Sequence, residues 1–252
     1  MHTYDKNYFK IALPAALEGL FMILLASTDL IMVGALGALS IAAVSIFMQP
    51  RLILLCFSRS LASSVTLLVS QKAGAGDTNG TSDIMKKSLT LCAIFMGLLH
   101  ILFYIFLDDI FYLMGANDEY MAEAMAYGPI ALAAVYVTSL TLILQAVQLG
   151  YGRTSVIMKT NVCGNVVNLA LNALLIFGFG PIPSLGVTGA AIGTLVSTIF
   201  TLAWTAWILK NESFFSGGSY LPDRAYFHRM MPILLSILSE QGSERVGMVL
   251  FS

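Results

Sequence analysis

Seven stretches of some 20 mostly apolar residues, parted by short polar turns, leave this chain few ways to fold. A helix needs about 20 residues to cross a hydrocarbon core of about 30 Å, and inside that core every backbone N–H and C=O must be paired within its own segment. The stretches fall at about 11–33, 41–69, 88–107, 124–147, 160–179, 187–209 and 230–252. Turn-forming runs separate them, among them Gly74-Ala75-Gly76-Asp77-Thr78-Asn79-Gly80, Gly150-Tyr151-Gly152-Arg153-Thr154 and Gly178-Phe179-Gly180-Pro181-Ile182-Pro183. Composition points the same way. Hydrophobic residues make up 58% and charged residues 11%, against about 25% charged in a soluble domain. A formal net charge of −1 supplies no basic excess for phosphate contacts, so nucleic acid is excluded as a partner. The fold expected is all-α, a polytopic helix bundle with the lipid bilayer as its surroundings.

Lys6 and Lys10 ahead of the first apolar run superficially resemble a signal peptide, but Glu18 and Asp29 interrupt that run. It reads as a retained first helix. Orientation follows from the basic residues of the connections. Lys6, Lys10, Lys72, Lys86, Lys87, Arg153, Lys159, Lys210, Arg224 and Arg229 gather on one side. The opposite loops, at about 34–40, 108–123 and 180–186, hold none and carry Asp108, Asp109, Asp118, Glu119 and Glu123. The positive-inside rule then places the N-terminus in the cytoplasm of a multi-pass protein of the cell membrane.

Tyr8-Phe9-Lys10-Ile11-Ala12-Leu13-Pro14 can be laid on Tyr226-Phe227-His228-Arg229-Met230-Met231-Pro232 at a constant offset. Six intervening spans return the chain to its starting side, the arrangement of parallel repeats about an axis along the membrane normal. The organisation expected is a six-helix lobe over 1–210, a cytoplasmic inter-lobe loop over 211–229, and over 230–252 the first helix of a second lobe, truncated. The missing lobe would be supplied by further chain or by a second copy.

Charges at bilayer depth are disfavoured by about 2.5–3.5 kcal/mol on insertion scales, so each needs a reason. Asp29 lies in the outer half of the first span and reads as a cation or proton site; the alternative is a span-end residue reaching the interface. Asn161, Asn165, Asn168 and Asn172 recur at spacings of 4, 3 and 4 in the fifth span. At 100° per residue they make one polar stripe. Amide oxygens suit Na⁺ and amides also bond a substrate, so the stripe reads as a cavity lining; interhelical glue is the alternative. In the sixth span Gly189 and Gly193 form a small-xxx-small face for close packing, and the Thr194 hydroxyl is placed to join a cation site. Tyr127 reads equally as an interfacial aromatic or a cavity wall. Arg51, next to Pro50, pairs on this reading with a carboxylate such as Glu18, and Arg59 has no account.

Soluble chemistries find no support. Gly74-Ala75-Gly76-Asp77 lacks the ending of a phosphate loop, and His2, His100 and His228 are too scattered to hold a metal. Cys56, Cys92 and Cys163 sit in apolar runs as core fillers. No catalytic cluster is present, so no enzyme is expected.

Several stretches resemble multidrug and toxic compound extrusion (MATE) transporters. They are Ala12-Leu13-Pro14, Thr28-Asp29-Leu30-Ile31-Met32-Val33-Gly34-Ala35-Leu36-Gly37, Ser70-Gln71-Lys72-Ala73-Gly74-Ala75-Gly76-Asp77, Asn168 to Gly178 and Leu185 to Ala191. They come in family order across nearly all of residues 10–240. The resemblance implies two six-helix lobes around a V-shaped cavity and export of organic compounds driven by inward H⁺ or Na⁺, with no other cofactor. It also implies site roles. Asp29, Asn168 and Thr194 match the acid, Asn and Thr of the first lobe's cation site; Asn172 stands where some members carry a second Asp; Na⁺, where it binds, would lie among these four. Tyr127 lies near that site's fourth-helix Tyr, and Glu240 matches a seventh-helix Glu tied to coupling in the second lobe. Asn172 leaves the site a single carboxylate, and Leu149 stands where Arg is frequent. The function expected is a cation-coupled antiporter exporting amphipathic or cationic organic compounds, coupled through Asp29, Asn168, Asn172, Thr194 and Glu240, with Tyr127, Asn161 and Asn165 lining the substrate cavity. The alternatives are an inactive half-transporter or assembly partner, and a lipid-linked substrate flippase, for which a cationic cavity with Arg51 and Arg59 would be the sign.

Overall fold

A computed structural model of the chain describes residues 16, 17, 19, 20, 28, 30–181 and 183–250, with side chains at all of these except 242 and 244–250. Residues 30–34 are helical and lead through a turn into α1 (Ala38–Ile46) and α2 (Met48–Gly74). There follow α3 (Thr78–Ile105), a short α4 (Leu107–Leu113), α5 (Asp118–Gly150), α6 (Thr154–Phe177), α7 (Gly186–Asn211) and α8 (Arg224–Leu250). Five helical units are long and apolar enough to cross a membrane: Ala38–Gly74, α3, α5, α6 and α7. They coincide with the second to sixth expected spans, and α8 occupies the seventh. Most of the first span, with Glu18 and Asp29, lies outside the described residues.

The helices outrun the apolar runs because hydropathy registers only the part in hydrocarbon. At 1.5 Å per residue, the 33 residues of α5 reach about 50 Å, well past a core of about 30 Å. Their ends are set by capping. Asp77 accepts from the Gly80 N–H at 2.8 Å at the start of α3, and Asn117 accepts from Glu119 N–H at the start of α5. α8 begins at Arg224, inside the segment expected as loop, because Asp223 accepts from the Tyr226 N–H at 2.7 Å and so caps a helix over polar sequence. α4 is likewise a helix where a plain loop was expected.

Short turns make successive long helices antiparallel, and contacts confirm which ends meet. Arg153 pairs with Glu212 at 2.5 Å, Thr81 meets Tyr151 at 3.3 Å, and Ser82 donates to the Phe214 carbonyl. The described basic connections therefore share one end of the bundle. At the other end Ser40 donates to Glu123 at 2.7 Å, tying α1 to α5. Lys86 and Lys87, expected in a connection, are instead buried in α3.

The interior runs between α2, α3 and α5. Ser58 and Ser139 share a hydrogen bond of 2.7 Å at its centre, with Leu54, Val65, Met96 and Ile143 packed around. Ile94, Leu98, Ile101, Leu102 and Ile105 form one exposed stripe along α3, an apolar face suited to lipid. α6 and α7 cross more closely than side chains normally allow. A Cβ at Gly189 would stand 2.5 Å from the Leu175 carbonyl oxygen; one at Gly193 would overlap Asn172 Oδ1; one at Gly164 would overlap Thr201 Oγ1. The facing pairs 164–201, 172–193 and 175–189 follow one antiparallel register.

The segment from Glu212 to Asp223 is clasped to the start of α3. Lys87 pairs with Asp83 at 2.6 Å and Asp223 at 2.8 Å, Tyr226 shares a 2.9 Å bond with Ser88, and Lys86 lies 5.0 Å over the Tyr220 ring. The Lys87 bond and the Tyr226 N–H hold the Asp223 carboxyl below the usual carboxylate range; Lys72 and the Gly80 N–H do the same for Asp77.

Two outcomes follow. Gly189→Val, whose new atoms meet backbone, should cost about 1–3 kcal/mol and lower the midpoint of thermal unfolding in detergent, whereas Gly74→Ala, with open space around it, should leave it within about 0.5 kcal/mol. The depressed acids contribute stability that is present above their unfolded value of about 3.9 and lost as pH falls through the lower folded value. A pH series of unfolding midpoints should therefore fall on the acid side, with a shallower fall in Asp223→Asn.

Candidate functional site

Pro50 has no N–H to give to the Ile46 carbonyl, and the α1–α2 unit breaks at Phe47, between the two helices. The break turns Phe47 inward, edge-on to Phe111 at 6.5 Å and to Tyr127 at 5.8 Å between ring centroids. Beside it lies a cavity of about 210 Å³ bounded by Leu30 and Val33, by α1 and the start of α2, and by α5, α6 and α7. Val44, Phe47, Leu55, Ala131 and Val135 give it apolar walls; Tyr127, Thr138, Asn165, Asn172, Thr194 and Thr198 give it polar ones.

Two of these polar residues, Asn172 and Thr194, are joined through Asn168, itself outside the lining, in an ordered chain of donors. Asn172 Nδ2 donates to Asn168 Oδ1 at 3.3 Å, Asn168 Nδ2 donates to Thr194 Oγ1 at 3.3 Å, and the Thr194 hydroxyl donates to the Ala190 carbonyl at 2.9 Å. Asn168 and Asn172 are buried, at 8% and 1% exposure. Gly193 opposite Asn172 is what admits the amide: any side chain there would occupy its place. The close α6–α7 crossing thus builds the site as well as the packing.

Of the residues expected from sequence, Asn168, Asn172 and Thr194 are brought together, and Asn172, Thr194, Tyr127 and Asn165 line the cavity while Asn168 does not. Asn161 is not in the lining. It accepts from Gln145 Nε2 at 2.6 Å, so the member of the stripe nearest the basic end of the bundle is bound across to α5 instead of facing the cavity. Glu240 lies exposed on α8, away from the lining; α8 meets α2 nearby, through Cys56 and Gln241 at 3.5 Å. Asp29 lies outside the described residues. Sequence reasoning passed over Thr138 and Thr198, and offered Arg51 as a partner for Glu18 or, with Arg59, as the sign of a cationic cavity; Thr138, Thr198 and Arg51 all line the cavity. The helix break at Pro50 was the signal for Arg51. Its suggested partner, Glu18, lies outside the described residues. Arg59, two turns further along α2, is exposed.

Amide and hydroxyl oxygens are hard ligands suited to Na⁺. They do not titrate, so proton coupling needs an acid besides them. Among the described residues no group of three or more His, Cys, Asp or Glu side chains is placed to hold a metal ion.

The chain matches the MatE family model over residues 14–174. It is 28% identical over 186 residues to the probable multidrug resistance protein NorM of Rhizobium meliloti, covering 74% of this chain and 40% of that protein. With the FAD transporter of Shewanella oneidensis it shares 28% identity over 187 residues, 72% of this chain and 40% of the relative. With the multidrug resistance protein PmpM of Pseudomonas aeruginosa it shares 24% over 238 residues, 92% of this chain and 50% of that one. The chain thus spans half or less of the length of these curated relatives. Among solved structures, a MOP superfamily transporter from Pyrococcus furiosus superposes with a TM-score of 0.85 at 24% identity, covering 97% of this chain and 54% of that one. The bent form of the Vibrio cholerae MATE transporter VcmN gives 0.83 at 23%, covering 97% and 56%.

If the donor chain is one unit, Asn168→Ala and Thr194→Ala should be non-additive in unfolding free energy by roughly 0.6 kcal/mol, the scale of membrane hydrogen bonds. Asn161→Ala combined with Thr194→Ala should be additive. A double-mutant cycle read by thermal unfolding in detergent checks both.

Proposed function

This chain belongs to the MatE family, and from that premise we propose that it forms the first lobe, and the opening helix of the second, of a cation-coupled exporter of amphipathic organic compounds. The observation that carries the reading is the Asn172–Asn168–Thr194 chain along the wall of a cavity reached by α5, α6 and α7. Family resemblance adds Asp29 as the acid of this wall and Glu240 as its counterpart in the second lobe. H⁺ or Na⁺ arriving at Asp29 changes the charge facing the amides. The helices around the site then repack, the cavity reopens outward, and solute leaves. The second lobe, against which the first would rock, comes from further chain or from a second copy. The clustering of basic connections at one end supports an N-terminus in the cytoplasm of a multi-pass protein of the cell membrane. Neither alternative, an inactive half-transporter or a lipid-linked flippase, is favoured by the relatives, whose names are those of transporters and resistance proteins.

The test is export by the complete gene product in proteoliposomes with imposed pH or Na⁺ gradients. Gradient-driven export is expected, and Asp29→Asn should abolish its dependence on the gradient. Equal gradient-driven flux in Asp29→Asn would refute the coupling role.

A further inference from the structure

A second cavity, of about 220 Å³, lies at the basic end of the bundle where α2, α3 and α8 meet, and it shares no lining residue with the first. Each helix gives it one cation: Lys72 from the last turn of α2, Lys87 from α3 and Arg229 from α8. Asp83 and Asp223 add two carboxylates, and Leu68, Ile84 and Tyr226, all buried, form its floor. The charges are unequally available. Lys87 lies between the two acids with its side chain 9% exposed, whereas Asp223 is 55% exposed and Arg229 stands open. A carboxylate oxygen bonded to Lys87 keeps a second lone pair, and Lys72 has three N–H donors, of which Asp77 takes one. Acceptors and cationic donors thus share one small volume. Its level matters as well. Leu68 lies one turn before Lys72, and the apolar run of α3 begins directly after Lys87. The cavity therefore stands where both helices pass from hydrocarbon to water, at the depth of phospholipid headgroups.

We propose that this cavity binds a zwitterionic phosphate ester of the phosphoethanolamine type, with Lys72 and Arg229 on the phosphate and Asp83 and Asp223 accepting from the ammonium. An Arg fork takes phosphate oxygens in two-point geometry and a Lys meets them as a point charge. A primary ammonium has three N–H donors to divide between two carboxylates. Both signs are needed. A simple anion placed there meets Asp83 and Asp223, and a simple cation meets Lys72 and Arg229; a headgroup that carries both charges satisfies the two pairs at once. Pockets lined by basic residues between transmembrane helices are general sites for lipid headgroups. Size agrees with that occupant. At about 220 Å³ the cavity falls below the ~300–1,000 Å³ of pockets that enclose a drug-sized ligand, so it holds a headgroup and leaves any attached chains outside. Because its lining comes from three helices, an occupied cavity ties α8 to α2 and α3 and adds to the Lys87 clasp.

The experiment titrates the complete gene product in a mild detergent with dioleoyl phosphatidylethanolamine, dioleoyl phosphatidylglycerol and dioleoylglycerol, which share the same chains, and reads bound copies by native mass spectrometry. Phosphatidylethanolamine is expected to bind about tenfold more tightly than dioleoylglycerol, the scale of one charge-assisted hydrogen bond, and severalfold more tightly than phosphatidylglycerol. Arg229→Gln and Lys72→Gln should each weaken it severalfold, and either serves if the other does not fold. Lys210→Gln, which removes a charge from the same end of the bundle but not from the lining, should leave it unchanged. Phosphatidylethanolamine binding no tighter than either competitor, its affinity unchanged in either lining variant, or an equal loss in Lys210→Gln would overturn the proposal. Adding excess O-phosphoethanolamine identifies the source of the headgroup. Displacement of the lipid makes the free phosphate ester a sufficient ligand, and retention makes the bilayer lipid the source; both keep the zwitterion chemistry. The readout is equilibrium binding without a gradient, so failure of coupled export leaves it intact, and its own failure leaves coupled export standing.

Discussion

The close crossing of α6 and α7 is the constraint on which the rest of the site depends. In hydrocarbon, two helices gain little by burying apolar surface against each other; they gain from contact at short range and from polar groups that find partners. Gly164, Gly189 and Gly193 let the backbones approach, and the approach brings Asn168 and Thr194 within bonding distance, with Asn172 seated in the room left at Gly193. Amides that would be costly facing lipid become a directed chain ending on the Ala190 carbonyl. Packing and site chemistry are one arrangement here.

The bundle is polar at two levels. One is this chain, in the membrane's depth. The other is the clasp at the basic end, where Lys87 joins Asp83 to Asp223 and so fixes the segment entering α8 against α3. Between them the interior is largely apolar, with the Ser58–Ser139 and Gln145–Asn161 bonds among its polar contacts. In the exporter we propose, a lobe tied at its ends and close-packed at its centre would move as a body, with rearrangement concentrated where the helices are already interrupted, at the Phe47 break beside the cavity.

Much of this was legible in the sequence, because the bilayer imposes length and polarity on each segment. The second to sixth spans and the shared side of the basic connections follow from apolar runs and charge alone. The asparagine stripe is legible because 4, 3 and 4 spacing fixes a helix face. What a stripe cannot tell is how far along it the cavity extends. Asn161 lies on the same face, yet Gln145 of α5 takes it, and that pairing depends on the crossing of two helices distant in sequence. Arg51 was opaque for a related reason. Its direction is set by the break that Pro50 forces between α1 and α2, and hydropathy reads α1 and α2 as one continuous run. Lys86 and Lys87 were misplaced because helix propensity and capping at Asp77 carry α3 a full ten residues before its apolar part begins.

The donor chain of Asn168, Asn172 and Thr194 beside the cavity is the part proposed to respond to the coupling ion. Thr198 lines the same cavity one turn beyond Thr194, so it reports on the cavity without removing a member of the donor chain. With Cys56, Cys92 and Cys163 replaced, the labelling rate of Thr198→Cys by a water-soluble thiol reagent is the direct measurement. The account predicts that adding Na⁺, or lowering the pH, changes this rate severalfold while a cysteine at Asn161 is unaffected; an identical rate at Thr198→Cys across both ions would contradict it.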